Sequence, residues 1–225
     1  MQQRELKKIA RWFRDAGVSD IAGDIPAIRR KTSRSIATLA ELKEAMQKVD
    51  IPLKKCARNM VFGAGDEHAQ VLLLGEAPGE EEDKQGLPFV GQSGQLLNTI
   101  LATVGLDRAT VYITNILPWR PPGNRTPTNQ EIEMFRPYVL KHIELIDPKV
   151  VVCLGGTSTK ALLQTTQGIM QLRGKWTRVD GIAAKIMPTF HPAFLLRSPS
   201  QKKETWHDFL QIAKEIRSEN ATLQT

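Results

Sequence analysis

Five carboxylates crowd into the segment after one apolar run: Glu76, Glu80, Glu81, Glu82 and Asp83 follow Val71-Leu72-Leu73-Leu74-Gly75. The run is aliphatic on both faces, as in a buried parallel strand. In an open α/β sheet, ligands bind in the crevice beyond the carboxyl ends of such strands. Carboxylates delivered there are placed to do chemistry, as fixed negative charge or as proton acceptors. A Gly-Leu-Pro-Phe-Val-Gly loop over 86–91 then leads to a helix start at Gln92-Ser93-Gly94. Backbone amides at such a start suit a phosphate.

Three later segments end strand-like runs with polar or aromatic groups. They are Val111-Tyr112-Ile113-Thr114-Asn115, the loop Arg120-Pro121-Pro122-Gly123-Asn124-Arg125-Thr126-Pro127, and Phe190-His191-Pro192-Ala193-Phe194-Leu195-Leu196-Arg197. Taken singly, each residue also has an ordinary reading. Phe89 can be a core ring, Asn115 a turn former, and His191 a structural histidine at a strand end. The arginines and leucines can be surface or core filler.

The elements that must position these groups alternate. Beyond the strand at Val71, strands are expected over 110–114, 149–154 and 184–189, with helices near 93–104, 129–146, 157–164 and 203–217. Strands alternating with helices imply a parallel sheet covered on both faces. The expected architecture is therefore a three-layer α/β/α sandwich around a mainly parallel, four-stranded sheet. Before it, apolar residues at helical spacing (Leu6, Ile9, Ala10, Phe13) mark a short amphipathic helix over 2–16. A linker-like stretch follows over 22–37, then a helix over 36–49 with Ser35 or Thr38 as its N-cap. The domain boundary is placed between 45 and 46, separating a basic N-terminal extension from the domain that carries the motifs.

The chain has 225 residues, 41% hydrophobic and 24% charged, the profile of an ordinary globule. No apolar run reaches the ~18 residues of a membrane span, and no secretory signal opens the chain. Cys56 and Cys153 do not suggest a disulfide framework, which fits a reducing cytoplasm. The four histidines, 68, 142, 191 and 207, lack zinc-ligand spacing, so no metal site is expected. Charge is uneven: residues 1–60 carry 14 Lys and Arg against 7 Asp and Glu, and the whole chain 31 against 24. The positive excess thus sits at the N-terminus, where it attracts nucleic acid without reading sequence or simply solvates a tail.

The four ordered segments together resemble the uracil-DNA glycosylase superfamily, in particular its family 4 branch, over roughly residues 50 to 215. The resemblance implies an enzyme that flips uracil out of single- or double-stranded DNA and hydrolyses its N-glycosidic bond. The product is an abasic site, and the protein is expected to be a monomer with no membrane partner. It implies catalytic roles for Glu76, which orients water and stabilises positive charge on the deoxyribose, and for His191, a donor to uracil O2. Uracil would contact Phe89 by stacking, Asn115 through its amide, the backbone N–H of Ala77, and Glu82 near C5. DNA would meet Gln92, Ser93, Gly94, Arg120, Arg125, Leu195, Leu196 and Arg197, the last three entering the duplex beside the extruded base. Glu80, Glu81 and Asp83 read as solvated loop charges.

Most members of that branch hold a [4Fe–4S] cluster on four cysteines. Here Cys56 matches the first position, while Asn59, Trp119 and Phe135 fall at the others, so no cluster is expected. Three other functions compete. A phosphate-binding nucleotide enzyme is disfavoured, because no Gly-Lys-Ser or Gly-Lys-Thr follows the glycine turn. A non-catalytic DNA-binding module that kept the fold stays open. A relative that remains attached to its abasic product would carry a basic, His-containing insert before His191, which Met187-Pro188-Thr189-Phe190 lacks.

Overall fold

The computed structural model describes residues 36–222; the helix expected over 2–16 and most of the linker over 22–37 lie outside them. The first element is helix α1, Leu39–Gln47, capped by the Thr38 side chain, which accepts from Glu41 N–H at 3.1 Å. Of the two N-cap candidates, Thr38 takes the role. Leu42 and Met46 of this helix are buried, so it continues across position 45 as part of the packed unit.

Five strands follow: β1 Ala64–Gly65, β2 Val71–Gly75, β3 Tyr112–Asn115, β4 Val150–Leu154 and β5 Lys185–Thr189. Their spatial order is β1-β3-β2-β4-β5, with β1 antiparallel to β3 and every other pairing parallel. The expected sheet of four strands is thus corrected to five. β1 was illegible because two residues carry no periodicity. Its geometry is read instead from Gly65 at φ +126°, where any Cβ would meet the Val111 carbonyl at 1.9 Å.

Alternation along the strands separates two buried faces. Val71, Leu73, Ile113, Val152 and Met187 join one core with Leu97 and Leu101 of helix α3 (after α2, Glu80–Gln85, comes α3, Gln92–Ala102). Phe209 and Ile212, from the last helix, close the same core. On the other face, Tyr112 meets buried His142 of helix α4, Asn129–Ile146 (Oη to Nε2, 2.9 Å), and Phe62 stacks on that imidazole. Burial lowers the His142 pKa to about 4, so it is a neutral core group. The chain continues through α5, Gly156–Leu163, α6, Ile169–Leu172, α7, Pro192–Arg197, and α8, Lys202–Thr222. Among the described residues no helix is long and apolar enough to cross a membrane.

Two segments expected as loops are helical. The acidic stretch forms α2, because four carboxylates in its first turn meet the positive end of the helix dipole and Gly86 terminates it at φ +71°. The segment after His191 forms α7, with Pro192 at its first position and His191 as its N-cap. The sheet's connectivity explains why both matter. From β2 the chain moves to β3 on one side and then to β4 on the other, so the crevice lies where the strand order reverses.

Candidate active site

The carboxyl ends of the parallel strands open into one cavity of about 920 Å³. The end of β2 delivers Glu76 and Ala77, and the end of β3 delivers Asn115 beside them, because Gly75 pairs with Asn115 in register. That pairing continues past the sheet: Ile116 N–H donates to Gly75 O at 3.0 Å and Leu117 N–H to Glu76 O at 3.1 Å. His191 arrives from the end of β5, and Phe89 from the loop between α2 and α3. Sequence positions more than 100 residues apart thus line one concavity.

Asn115 is 4% exposed, and its Oδ1 is buried without a hydrogen-bond partner among the described residues. An unpaired buried acceptor costs roughly 1–3 kcal/mol, so it needs a reason. The site is crowded around it. A Cβ on Gly75 would fall 2.2 Å from Asn115 Oδ1 and 2.6 Å from the Phe89 ring. Only glycine at position 75 lets the amide and the ring approach each other.

Phe89 is 5% exposed yet lines the cavity, and it adopts φ +53°, a left-handed conformation unusual for an aromatic residue. Its ring centroid lies 5.6 Å from that of His191. Gly94 sits under the loop, where a Cβ would come within 1.8 Å of the Phe89 carbonyl. Gly94 therefore supports the ring's backbone, and it is buried away from the cavity. Glu82 also serves the loop, since its Oε1 accepts from Val90 N–H at 2.8 Å and Gly91 N–H at 2.9 Å while its side chain borders the cavity.

His191 Nδ1 accepts from Ala193 N–H at 3.1 Å, the N-cap bond of α7. Burial, reinforced by the positive charge of Arg197 and opposed by Glu82, lowers its pKa to about 4. The imidazole is therefore neutral near pH 7, with its proton on Nε2. The strand leading to it is tied down from below. Thr189 donates to fully buried Asp208 at 2.7 Å, and Arg173 pairs with Asp208 and with Glu204 (2.9 Å) while lying over the Phe190 ring. Burial raises the Asp208 pKa, against the pull of Thr189 and Arg173.

The remaining expected residues divide. Gln92, Ser93, Leu196 and Arg197 border the cavity, with Leu196 43% exposed. Leu195 is 0% exposed, so it anchors α7 in the core instead of projecting from it. Arg125 borders the cavity but forks onto Glu131 (2.7 and 2.8 Å), a pairing that holds the Glu131 carboxyl at about 2. Arg120 donates to Asn124 at 2.7 Å and lies 3.7 Å from Glu80. Asp83 is not a solvated charge: it is 2% exposed and accepts from Arg58 N–H at 2.8 Å and Asn59 N–H at 3.2 Å. Glu80 and Glu81 are exposed and pair with Lys84. Arg108 went unrecognised in the sequence, because nothing in a linear pattern connects it to Phe89, nineteen residues earlier.

The model of the uracil DNA glycosylase superfamily matches residues 62–210, which span the ends of β2, β3 and β5 that line this cavity. The chain belongs to that superfamily. It is 39% identical over 189 residues to the Type-4 uracil-DNA glycosylase of Archaeoglobus fulgidus, covering 81% of this chain and 94% of that one. The Type-4 enzyme of Pyrobaculum aerophilum is 38% identical over 177 residues, covering 76% and 90%. That of Thermotoga maritima is 39% identical over 170 residues, covering 71% and 88%.

This kinship corrects one expectation. Type-4 enzymes characteristically carry a [4Fe–4S] cluster, so likeness to them over most of the chain counts against the expectation that none is carried. The four positions matched in the sequence nevertheless do not assemble a ligand set. Cys56 is exposed; Asn59 donates through Nδ2 to the Asp83 (2.7 Å) and Lys84 (3.2 Å) carbonyls. Trp119 and Phe135 are buried edge to face, 5.7 Å between centroids. Among the described residues no group of three or more His, Cys, Asp or Glu is placed to hold a metal ion. These side chains do not fit the cluster.

Proposed function

We propose that this chain is a uracil-DNA glycosylase that extrudes uracil from DNA into the cavity and hydrolyses its N-glycosidic bond, leaving an abasic site. The observation that carries this reading is the orphaned Oδ1 of Asn115, buried beside Phe89 in a cavity that also holds Glu76 and a neutral His191. A uracil seated against Phe89 presents N3–H to that oxygen and O4 to the Asn115 amide donor. Cytosine presents an acceptor at N3 and a donor at C4, the reverse pattern. Stacking on the Phe89 ring contributes ~1–3 kcal/mol and does not discriminate among bases.

Bond cleavage moves the electron pair of the C1′–N1 bond onto uracil, and negative charge gathers on O2. The Nε2–H of His191 donates to that oxygen as the charge forms, with the Ala77 N–H as a second donor. A neutral imidazole suits the task because its proton is already fixed on Nε2 by the Nδ1 cap bond. The Glu76 carboxylate faces the oxocarbenium-like sugar, stabilises its positive charge and orients the attacking water. Water adds at C1′, the proton it releases neutralises the departing uracil anion by way of solvent, and free uracil and an abasic deoxyribose result.

DNA is held at the rim by Gln92, Ser93 and Arg197, with Leu196 as the exposed residue entering beside the vacated position. Leu195, being buried, supports that turn. Arg120 and Arg125 would reach phosphates only by exchanging their present partners. The deciding experiment is excision from U:A, U:G and single-stranded oligonucleotides with T:G as control. Free uracil released from uracil substrates alone is the expected result. Intact uracil-DNA in the presence of folded protein would leave a DNA-binding module as the surviving reading.

A further inference from the structure

The loop that carries Phe89 is gripped at both ends by side chains of opposite charge. Arg108 donates from Nη1 to Phe89 O at 2.8 Å and from Nη2 to Pro88 O at 2.7 Å. Glu82 accepts the next two amides, Val90 N–H and Gly91 N–H, on a single oxygen. Four consecutive residues therefore spend two carbonyls on a guanidinium and two amides on a carboxylate. Between the two grips, Phe89 sits at φ +53°. A non-glycine residue held there costs of order 1–3 kcal/mol and persists only when its surroundings over-determine it.

We propose that Arg108 is a positioning residue for uracil excision. Its planar fork fixes the carbonyls of Pro88 and Phe89, and so holds the Phe89 ring against Asn115 and His191. The inference rests on the glycosylase reading above and adds to it a residue outside the cavity, from a turn that precedes β3. Arg is the side chain that does this. One rigid guanidinium reaches two adjacent carbonyls, while an ammonium is a point donor on a flexible stem. Arg108 is half-buried, so the bonds are partly shielded from water. Gly94 completes the seat, its missing Cβ leaving room for the same Phe89 carbonyl that Arg108 holds.

The consequence is a coupling between Arg108 and Phe89. Losing the fork frees the loop to relax out of the left-handed conformation, and displacing a positioned group by about 1 Å is enough to cost ~10²-fold in rate. The test is a double-mutant cycle on single-turnover uracil release, using the full chain and the variants Arg108→Ala, Phe89→Ala and both together, with thermal unfolding recorded for each. Arg108→Ala should slow excision by about 10- to 100-fold. Arg108→Lys, with one donor nitrogen in place of two, should fall between it and the parent. The double variant should be no slower than Phe89→Ala alone, because the arginine acts only through the ring it places. If Arg108→Ala fails to fold, Arg108→Gln, which keeps one amide donor, carries the same cycle. Parent-like rates in the arginine variants, or effects that multiply in the double variant, would overturn the proposal. An inactive parent protein would instead overturn the glycosylase reading, so the two failures are told apart.

Discussion

The Nδ1 of His191 accepts the backbone amide of Ala193 at 3.1 Å, and this one bond fixes both the ring's orientation and the place of its proton. A helix N-cap is usually Ser, Thr, Asp or Asn. An imidazole there spends Nδ1 on the cap and keeps Nε2–H as its donor, on a residue that lines the cavity. Protonating Nδ1 would oppose two donors and break the cap.

The pH dependence follows with a definite sign. Burial lowers the pKa of His191 and of His142 from 6.5 to about 4. Between those values the unfolded chain binds protons that the folded chain does not, so stability rises with pH through this window. The stabilisation these residues contribute should be complete above about pH 6.5. It is lost as pH falls towards about 4, the folded-state value. Excision should hold steady down to mildly acidic pH and then fall as His191 charges. Unfolding midpoints across this range, for the parent and for His191→Gln, provide the check: the variant should show the shallower slope. An identical slope would remove His191 from the account.

Glu76→Gln and His191→Gln should each lower the single-turnover rate by ~10² or more, the scale of losing an oriented charge or an anion donor. Affinity for uracil-free DNA should change little, because phosphate contacts supply most of it. Stopped-time uracil release together with fluorescence anisotropy separates the two effects. Rates like the parent's in either variant would reject that residue's role.

Asn115→Asp tests the base reader. A carboxylate has no donor for uracil O4 and accepts from the exocyclic amine of cytosine. Uracil release should slow, and the ratio of cytosine to uracil release should rise. Assays on paired strands that differ at one base measure the ratio directly, and an unchanged ratio would argue that Asn115 does not read the base edge.

Much of this was legible in the sequence, and the exceptions share a cause. β2 and β4 announce themselves as aliphatic runs, β3 and β5 as shorter apolar stretches that end in polar residues, and α4 was expected over 129–146, where it lies. The residues at the strand ends stand out because the crevice that binds ligands in such folds opens where the sheet stops. What stayed hidden is specified by partners distant in sequence. Asp83 looks like one more acid in an acidic stretch until it is found holding the amides of Arg58 and Asn59. Leu195 and Leu196 are alike in the sequence, and only the direction of α7 buries one and exposes the other. Arg108 follows the same rule, since its purpose lies in a loop nineteen residues earlier.

Gly75→Ala probes the closeness on which the site depends. The added Cβ would lie 2.2 Å from Asn115 Oδ1 and 2.6 Å from Phe89, so both must move. Overpacking of this kind costs typically ~1–3 kcal/mol in stability. Excision should fall by ~10²-fold or more, because the shift strikes the proposed base reader and the proposed stacking ring together. Calorimetry and single-turnover rates measured on one preparation check the pair. A destabilised variant with full activity would show that Asn115 and Phe89 need not touch at position 75.

The N-terminal segment calls for a separate test, and charge motivates it. Residues 1–35 hold nine Lys and Arg against four Asp and Glu, five of the chain's net +7. We propose that they form an extension whose task is affinity, neutralising DNA phosphates without touching the chemical step. Every phosphate that the shortened chain no longer neutralises on duplex DNA should flatten the log–log salt slope by ~0.9. Deleting residues 1–35 should therefore weaken binding at low salt and reduce that slope. The single-turnover rate at saturating enzyme should stay within about twofold, since saturation removes the difference in affinity and leaves the chemical step alone. Thr38 and the helix it caps remain in the shortened chain, so the packing of Leu42 and Met46 is preserved. Binding isotherms from low to high salt give the slope. An unchanged slope would mean that the basic residues are solvated and bind nothing, whereas a collapse in the chemical rate would mean that the segment belongs to the catalytic domain.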